Sequence, residues 1–321
     1  MASTVTQSAP SEAISSTITT SSLLGTSNPP YDPVTDEYHT VLLAIYFVVL
    51  VSGTISLSLM MHIMKSSTTS STSIAVLNLI FAHFIFLLTV PFRIYYYATH
   101  QWNLGFGWCK VASGMIHIHM YMSFIFYVII LIMRLMAFYH KAEQMASFQR
   151  TYALLVSAVV WIVVLVVVPC IFHFLYGKND EETSLHNNGN TSVTHCFRFG
   201  KNIRTQSAAM VFNYITSILI IMVAIVLTAL QANVLWVLCR KPHQGCSSQQ
   251  DVGAQQKSLC FALIMVVCFV PYHIFRLTYL KNIDLQNINE VFLSLTTFNC
   301  LDMLTFLGRR TCHMCLPGKA V

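Results

Sequence analysis

The chain has 321 residues, of which 55% are hydrophobic and only 9% are charged, and its mean hydropathy is +0.62. A soluble domain carries roughly 25% charged residues, so this composition excludes an ordinary soluble protein and indicates a membrane protein. The formal net charge of +6 therefore has to be interpreted by the side of the membrane on which the charges fall.

Residues 1–38 are rich in Ser and Thr, in runs such as SSTITTSSLLGTS, and this composition predicts a disordered extracellular tail. The tail has neither the basic segment nor the apolar core of a cleavable signal peptide. We therefore expect the first apolar helix to act as the insertion signal.

Seven apolar stretches follow, each long enough to cross about 30 Å of hydrocarbon, which takes about 20 helical residues. The predicted spans are His39–Met64, Ser71–Ala98, Val111–Tyr139, Tyr152–Leu175, Ala208–Leu238, Ser258–Leu280 and Ile288–Leu307. The sequence therefore predicts an all-α membrane protein. Its seven-transmembrane helix bundle occupies residues 39–308, and a short cytoplasmic tail follows at 309–321.

The basic residues set the orientation, because cytoplasmic loops carry an excess of Lys and Arg. With the N-terminus outside, ten basic and two acidic residues fall on the cytoplasmic side, a net charge of +8. The reverse orientation would place this excess outside. We therefore predict a multi-pass protein of the plasma membrane with an extracellular N-terminus, and the charge indicates sidedness rather than a nucleic-acid partner.

The longest connection, residues 176–207, joins the fourth and fifth spans on the outer side. Its sequon, Asn190-Thr191-Ser192, makes Asn190 a predicted glycosylation site. The loop also contains Cys196, and Cys109 lies at the outer start of the third span. Because only the outer side is oxidising, one disulfide between Cys109 and Cys196 is the simplest prediction.

Two further cysteines, Cys312 and Cys315, follow the last span beside Arg309 and Arg310. Juxtamembrane cysteines can be palmitoylated, and free cytosolic thiols are the alternative. No CxxC pair has a second cluster to complete a zinc site, so no metal site is predicted.

Several short motifs lie at characteristic distances from Cys109. Trp102 precedes it in QWNLGFGWCK, and Arg134 lies 25 residues after it, at the inner end of the third span. Trp161 lies in the fourth span, CFVPY in the sixth and LDMLTF in the seventh. Together with the predicted disulfide, this pattern resembles the rhodopsin-like G-protein-coupled receptors from the first helix to the last.

The resemblance implies a receptor that binds an extracellular ligand and activates a heterotrimeric G protein at the cytoplasmic face. It implies a surrounding of plasma-membrane lipids, no cofactor and no enzymatic activity. An enzyme is also disfavoured because no recognisable arrangement of nucleophile and base, and no nucleotide- or zinc-protease motif, occurs in the chain.

The resemblance further implies an activation switch, with departures from the family pattern. Arg134 matches the family's arginine but follows Met133 instead of an acidic residue. Asp251 stands where some members supply an acidic partner for that arginine. Pro271 removes a backbone donor and kinks its helix, and Phe269 replaces the tryptophan that usually packs beside this hinge.

The seventh span departs from the family as well. Its NPxxY motif has become a segment from Asp302 to Phe306, without the proline or the tyrosine hydroxyl. In the family, the positions of His83, Ser123 and Asp302 enclose a sodium ion. Our hypothesis is that His83 and Asp302 form a hydrogen-bonded pair that replaces or weakens sodium binding. The alternative is a neutral, hydrogen-bonded His83, with Asp302 alone holding the ion.

His273 and Arg276 match the His-x-x-Arg pattern of the family branch that includes purine-nucleotide, lipid and carboxylate receptors. Positions three apart share a helix face, and ionisable groups inside a membrane indicate function. Because guanidinium groups suit a carboxylate or phosphate, we predict an anionic small molecule or lipid as ligand. The predicted ligand-binding residues are Arg93, His117, Tyr121, Tyr272, His273 and Arg276.

Alternatives stay open. Arg93 and Arg276 could snorkel to the interface or pair with the acidic loop residues 180–182, which would leave a peptide or other ligand, or none. The chain could also be a heptahelical scavenger or modulator that activates no G protein. The missing acidic neighbour of Arg134 and the missing hydroxyl at Phe306 favour that rival.

Overall fold

A computed structural model describes residues 33–64, 71–139, 146–176, 196–197, 207–240 and 246–302. The chain divides into two units, Met1–Pro33 and Val34–Val321, and the side chains described all belong to the second. Several predicted features lie outside the described residues: most of the tail at 1–38, Asn190, Phe306, Cys312 and Cys315. The domain limits at 38 and 308 stay a prediction.

Seven α-helices follow one another in the described part of the chain, which contains no strand. They are α1 Pro33–Met64, α2 Ser71–Thr99, α3 Phe106–Tyr139, α4 Ala146–Tyr176, α5 Ser207–Arg240, α6 Cys246–Tyr279 and α7 Gln286–Leu295. A 3₁₀ turn, Ile283–Leu285, precedes α7, and a 3₁₀ helix, Thr296–Leu301, continues it. Each predicted span overlaps one of the seven helices, which confirms the all-α, seven-helix prediction.

These helices have the apolar surface of membrane spans. Stretches of α1, α2, α3, α5 and α6 are long and apolar enough to cross a membrane, and α4 has a shorter apolar stretch, Ala153–Val166. Large apolar side chains point outward, and Val267 on α6 is 70% exposed. A soluble protein rarely exposes apolar patches of this extent, so the distribution is that of a bundle surrounded by lipid.

Polar groups lie on the inner faces instead. On α5 the buried positions recur every three or four residues, as expected for a helix with one packed face. They are Ala209, Asn213, Ser217, Ile220, Ala224, Leu227, Gln231 and Val234. Three of these eight positions are polar, Asn213, Ser217 and Gln231, so the inner face of α5 carries hydrogen-bonding groups.

Two features of the helix packing position the sites. A Cβ atom on Gly53 of α1 would lie 3.1 Å from Leu87 Cδ2 and 3.6 Å from Cys300 Cβ, so this glycine allows α1 to approach α2 and the seventh segment. On α6, Phe269 is fully buried two residues before Pro271. Its ring contacts that of Tyr127 on α3, with 6.1 Å between centroids.

The predicted disulfide between Cys109 and Cys196 is formed. It joins the first turn of α3 to the described pair Cys196–Phe197, which precedes α5. We call this side of the bundle the disulfide end, and the opposite side, where Arg134 lies near the end of α3, the Arg134 end.

Candidate ligand-binding and signalling sites

Arg276 is held at the disulfide end by polar groups from two helices. Its Nε and Nη2 donate to Asn213 Oδ1 at 3.1 and 2.8 Å, and its Nη1 donates to the Tyr272 hydroxyl at 2.8 Å. Only 6% of the residue is exposed. A buried charge is costly unless it is hydrogen-bonded, so Asn213 on α5 fixes both the position and the plane of the guanidinium.

His273 lies one turn before Arg276 on the same helix and is also buried. Its Nδ1 lies 3.2 Å from Ser217 Oγ on α5. Its Nε2 has no hydrogen-bond partner in the part of the chain that the structure describes. The His-x-x-Arg pair therefore packs along α5, with an imidazole nitrogen available to a further polar group.

Arg93 on α2 is buried at the same end, with 1% exposure. Its Nη2 donates to the Ala112 carbonyl at 2.9 Å and its Nη1 to the Tyr46 hydroxyl at 3.2 Å. The ring of Phe197 covers the guanidinium, with 4.4 Å from Cζ to the ring centroid. Because Phe197 follows Cys196, the disulfide positions a cation–π partner over this arginine.

Two residues relate the arginines to each other. His117 on α3 is within electrostatic range of Arg93, His273 and Arg276. Glu290 on α7 is half-buried and interacts electrostatically with Arg93 and Arg276. It also lines a small recess, together with residues such as Tyr38, His39 and Phe197. Four of the six predicted ligand residues thus share one electrostatic environment, which we call the vestibule: Arg93, His117, His273, Arg276 and the added Glu290.

The remaining two predicted ligand residues differ in position. Tyr272 adjoins the vestibule, because its hydroxyl accepts a hydrogen bond from Arg276 Nη1. Tyr121 is half-buried and packs against the hydrophobic core. Glu290 is absent from the prediction, although an acidic residue within an apolar span is itself an indication of function.

A second polar cluster lies where α2, α3 and the 3₁₀ helix after α7 meet. His83 Nε2 lies 3.4 Å from Asp302 Oδ2, and the Tyr127 hydroxyl donates to the same oxygen at 2.5 Å. Exposure of these three residues is 1% or less. His83 and Asp302 therefore lie in the contact that the pairing hypothesis requires, and Tyr127 is a partner that sequence reasoning missed.

The same cluster includes two further residues that sequence reasoning missed. His83 Nδ1 lies 2.8 Å from His119 Nε2 on α3, and Cys300 Sγ lies 3.6 Å from each of these nitrogens. Ser123, the predicted third member of the sodium site, is fully buried, and its hydroxyl has no partner among the described residues. Whether sodium binds stays a prediction.

Only part of the predicted activation switch lies at the Arg134 end, since Phe269 and Asp302 both contact Tyr127 in the region described above. Arg134 is partly exposed and has no ion-pair partner within the described ranges. Asp251 lies on α6, and its side chain is outside the described part. The Gln231 side chain on α5 donates to the Leu131 carbonyl at 3.0 Å, which joins α5 to α3 one turn before Arg134.

Comparison with known proteins identifies the family. The sequence profile described as 7 transmembrane receptor (rhodopsin family) matches residues 40–305. The chain is 34% identical over 289 residues to Probable G-protein coupled receptor 141 of Homo sapiens, which covers 87% of this chain and 90% of that protein. Three stretches of the sequence suggest a similarity to this receptor: LLTVPFR, HIHMYMSFIFYVIIL and FLSLTTFNCLDML. The match confirms that similarity.

More distant relatives are receptors as well. Probable G-protein coupled receptor 34 of Pan troglodytes is 25% identical over 285 residues, 83% of this chain and 72% of that protein. Lysophosphatidic acid receptor 4 of Homo sapiens is 27% identical over 238 residues, 72% of this chain and 60% of that protein. These relatives are receptors and not enzymes, and the chain belongs to the rhodopsin family of seven-transmembrane receptors.

Proposed function

We propose that this receptor binds an anionic ligand in the vestibule at the disulfide end and activates a heterotrimeric G protein at the Arg134 end. The ligand carries a carboxylate or phosphate on a small molecule or lipid. On this proposal the disulfide end is extracellular, residues 1–38 form an outer tail and 309–321 a cytoplasmic tail. Glycosylation of Asn190 and palmitoylation of Cys312 and Cys315 belong to the same proposal.

The observation that carries the proposal is the burial of two arginines at one end of the bundle. Of the described lysine and arginine side chains, Arg93 and Arg276 are the buried ones. A charge within the hydrocarbon region costs at least about 2.5 kcal/mol on insertion scales. Such groups persist when they have a function, and guanidinium groups are suited to carboxylate and phosphate oxygens.

The arrangement of Arg276 supports recognition of an anion rather than a structural role alone. Asn213 accepts from the Nε and Nη2 edge, so the plane of the guanidinium is fixed before any ligand arrives. Preorganisation of this kind reduces the entropy lost on binding. Glu290 supplies a carboxylate within electrostatic range of both arginines. A bound anion would therefore compete with the Glu290 carboxylate for the two guanidinium groups.

The name of one relative is in line with an anionic ligand. Lysophosphatidic acid receptor 4 is named for a lipid with a phosphate headgroup, the type of group that two arginines would bind. The chain's identity to that receptor is 27%, so we extend to this protein the chemical class and not the compound.

The first experiment tests coupling without a ligand. G-protein dissociation is measured in cells over a panel that covers the main G-protein classes, for the wild type, Arg134→Ala and Arg134→Lys at matched surface expression. We expect basal activation by the wild type that Arg134→Ala removes. A wild type that activates none of the panel would favour the alternative function, a scavenger or modulator, which the missing acidic neighbour of Arg134 supports.

The second experiment tests the ligand class with lysophospholipids, fatty acids and nucleotides, each paired with a neutral analogue such as a monoacylglycerol. Arg276→Gln should lower the potency of the active anion by about 10- to 100-fold, the effect of losing one or two charge-assisted hydrogen bonds. Lys281→Gln, an exposed cation at the same end, is the control and should retain wild-type potency. Activation by a neutral analogue with equal potency, or an unchanged Arg276→Gln, would refute the anionic ligand.

A further inference from the structure

We propose that His83, His119 and Cys300 form a binding site for Zn²⁺ inside the bundle. The site is separate from the vestibule and does not depend on the ligand proposed there. Its three donor atoms are His83 Nδ1, His119 Nε2 and Cys300 Sγ, which all lie within 4.8 Å of one another. They come from α2, α3 and the 3₁₀ helix after α7, so one ion would link three segments of the bundle.

The distances are close to those of a zinc site. With Zn–N near 2.05 Å and Zn–S near 2.3 Å, tetrahedral zinc separates two nitrogens by about 3.3 Å and a nitrogen from a sulfur by about 3.6 Å. The two sulfur–nitrogen separations are both 3.6 Å, and the separation between His83 Nδ1 and His119 Nε2 is 2.8 Å. Binding therefore requires the two rings to move apart by about 0.5 Å, with Cys300 already in place.

The chemistry of the donors selects the ion. Thiolate and imidazole groups bind zinc and copper, whereas sodium, magnesium and calcium prefer oxygen ligands. A cluster of two histidines and one cysteine is therefore a poor sodium site and a suitable zinc site. The ligand set leaves a fourth coordination position for water or another group, as in zinc sites with three protein ligands.

The surroundings supply the second shell that such sites need. A histidine that binds a metal commonly donates its other ring N–H to a carboxylate, and His83 Nε2 lies 3.4 Å from Asp302 Oδ2. Tyr127 donates to the same carboxylate oxygen. The ring of Phe86 stacks on His119 with 4.2 Å between centroids, which fixes the orientation of the second ligand.

The charges balance when the ion is Zn²⁺. The Cys300 thiolate and the Asp302 carboxylate each contribute one negative charge, and the two imidazoles are neutral ligands. The sum with a divalent cation is zero. A neutral assembly suits a site whose four residues are at most 2% exposed, because isolated charges are costly to bury. A monovalent copper ion would leave one negative charge.

The test uses the full-length receptor, purified in detergent with a tag that contains no histidine and freed of metal with a chelator. Zn²⁺ is titrated in competition with a chelating indicator, and bound metal is counted by mass spectrometry. We expect one zinc per receptor, lost in Cys300→Ser and in His119→Gln. Asp302→Asn, which removes the carboxylate behind His83, should weaken binding by about 10- to 100-fold.

Two matched variants control for other thiols and imidazoles. Cys260→Ser removes a half-buried cysteine of α6, and His62→Gln an exposed histidine of α1; both should retain one zinc. If Cys300→Ser fails to fold, Co²⁺ in the wild type provides a second measurement, since a thiolate ligand produces a charge-transfer absorption. Three results would overturn the proposal: no bound zinc, equal zinc in Cys300→Ser, or no thiolate band with Co²⁺.

Discussion

The hydroxyl of Tyr127 donates to Asp302 Oδ2 at 2.5 Å, and both residues are fully buried. Tyr127→Phe removes this bond and leaves the ring contacts with Phe261 and Phe269, at 5.8 and 6.1 Å between centroids. A hydrogen bond to a charged group contributes roughly 1.5–3 kcal/mol. The substitution should therefore lower the free energy of unfolding by about 2 kcal/mol, or lower Tm by about 4–8 °C.

The assay is thermal unfolding of the purified receptor in detergent, with a chelator present and potassium in place of sodium, so that no bound ion contributes. Tyr139→Phe is the control, because Tyr139 is 62% exposed. Its Tm should stay within about 1–2 °C of the wild type, since exposed substitutions change stability by roughly 0.5 kcal/mol or less.

A double-mutant cycle isolates the interaction. In an Asp302→Asn background the acceptor is a neutral amide oxygen, so Tyr127→Phe should cost only about 1 kcal/mol. Two results would refute the reasoning: an unchanged Tm in Tyr127→Phe, or the same loss of stability in both backgrounds.

Two further predictions follow from the packing of the same region. Because His83 and Asp302 lie in contact, adding Na⁺ should not stabilise the receptor in a saturable way. Strong, saturable stabilisation that Asp302→Asn removes would contradict the pairing and favour a sodium site. Gly53→Val should destabilise the receptor by about 1–3 kcal/mol in the same unfolding assay, because its side chain would crowd Leu87 and Cys300, whereas Gly107→Val, with open space around it, should be close to wild type.

Residues with a strong local signal could be predicted from the sequence. The seven helices follow from runs of apolar residues, which the hydrocarbon thickness requires. The disulfide follows from the two cysteines, Cys109 and Cys196, that lie on the outer side and outside the predicted spans. The pairing of His273 and Arg276 on one face follows from helix geometry. In each case the residues involved are either close together in the chain or, for the disulfide, have few possible partners.

Contacts between helices could not be predicted in the same way. Asn213 holds Arg276 across 63 positions of the chain, and Tyr127 meets Asp302 across 175. The rotation of each helix about its axis decides such contacts. Because a membrane span is apolar both towards lipid and towards protein, its hydrophobic pattern gives little indication of which face is turned inward. Glu290 on α7 interacts electrostatically with Arg93 on α2 and Arg276 on α6, and this relation between three helices depends on the same rotations.

The proposed metal site has ligands that lie far apart in the chain. A search for paired CxxC clusters tests for ligands that lie close together in the chain, and it predicted no metal site. His83, His119 and Cys300 are separated by 36 and 181 positions, so no spacing rule joins them. The sequence signal that was available is the presence of polar and ionisable residues in three separate apolar spans, which must find partners inside the bundle.

Contacts along α6 connect the vestibule to the polar core. Arg276 lies a little over one turn after Pro271, and Phe269, two residues before that proline, contacts Tyr127. If anion binding at Arg276 rotates α6 about Pro271, as the proposed function suggests, Phe269 would move against Tyr127, whose hydroxyl donates to Asp302. Buried polar groups keep their partners, so the core has to rearrange as a unit. A metal bound at His83, next to Asp302, and an anion bound in the vestibule would then both affect the same packing of the helices.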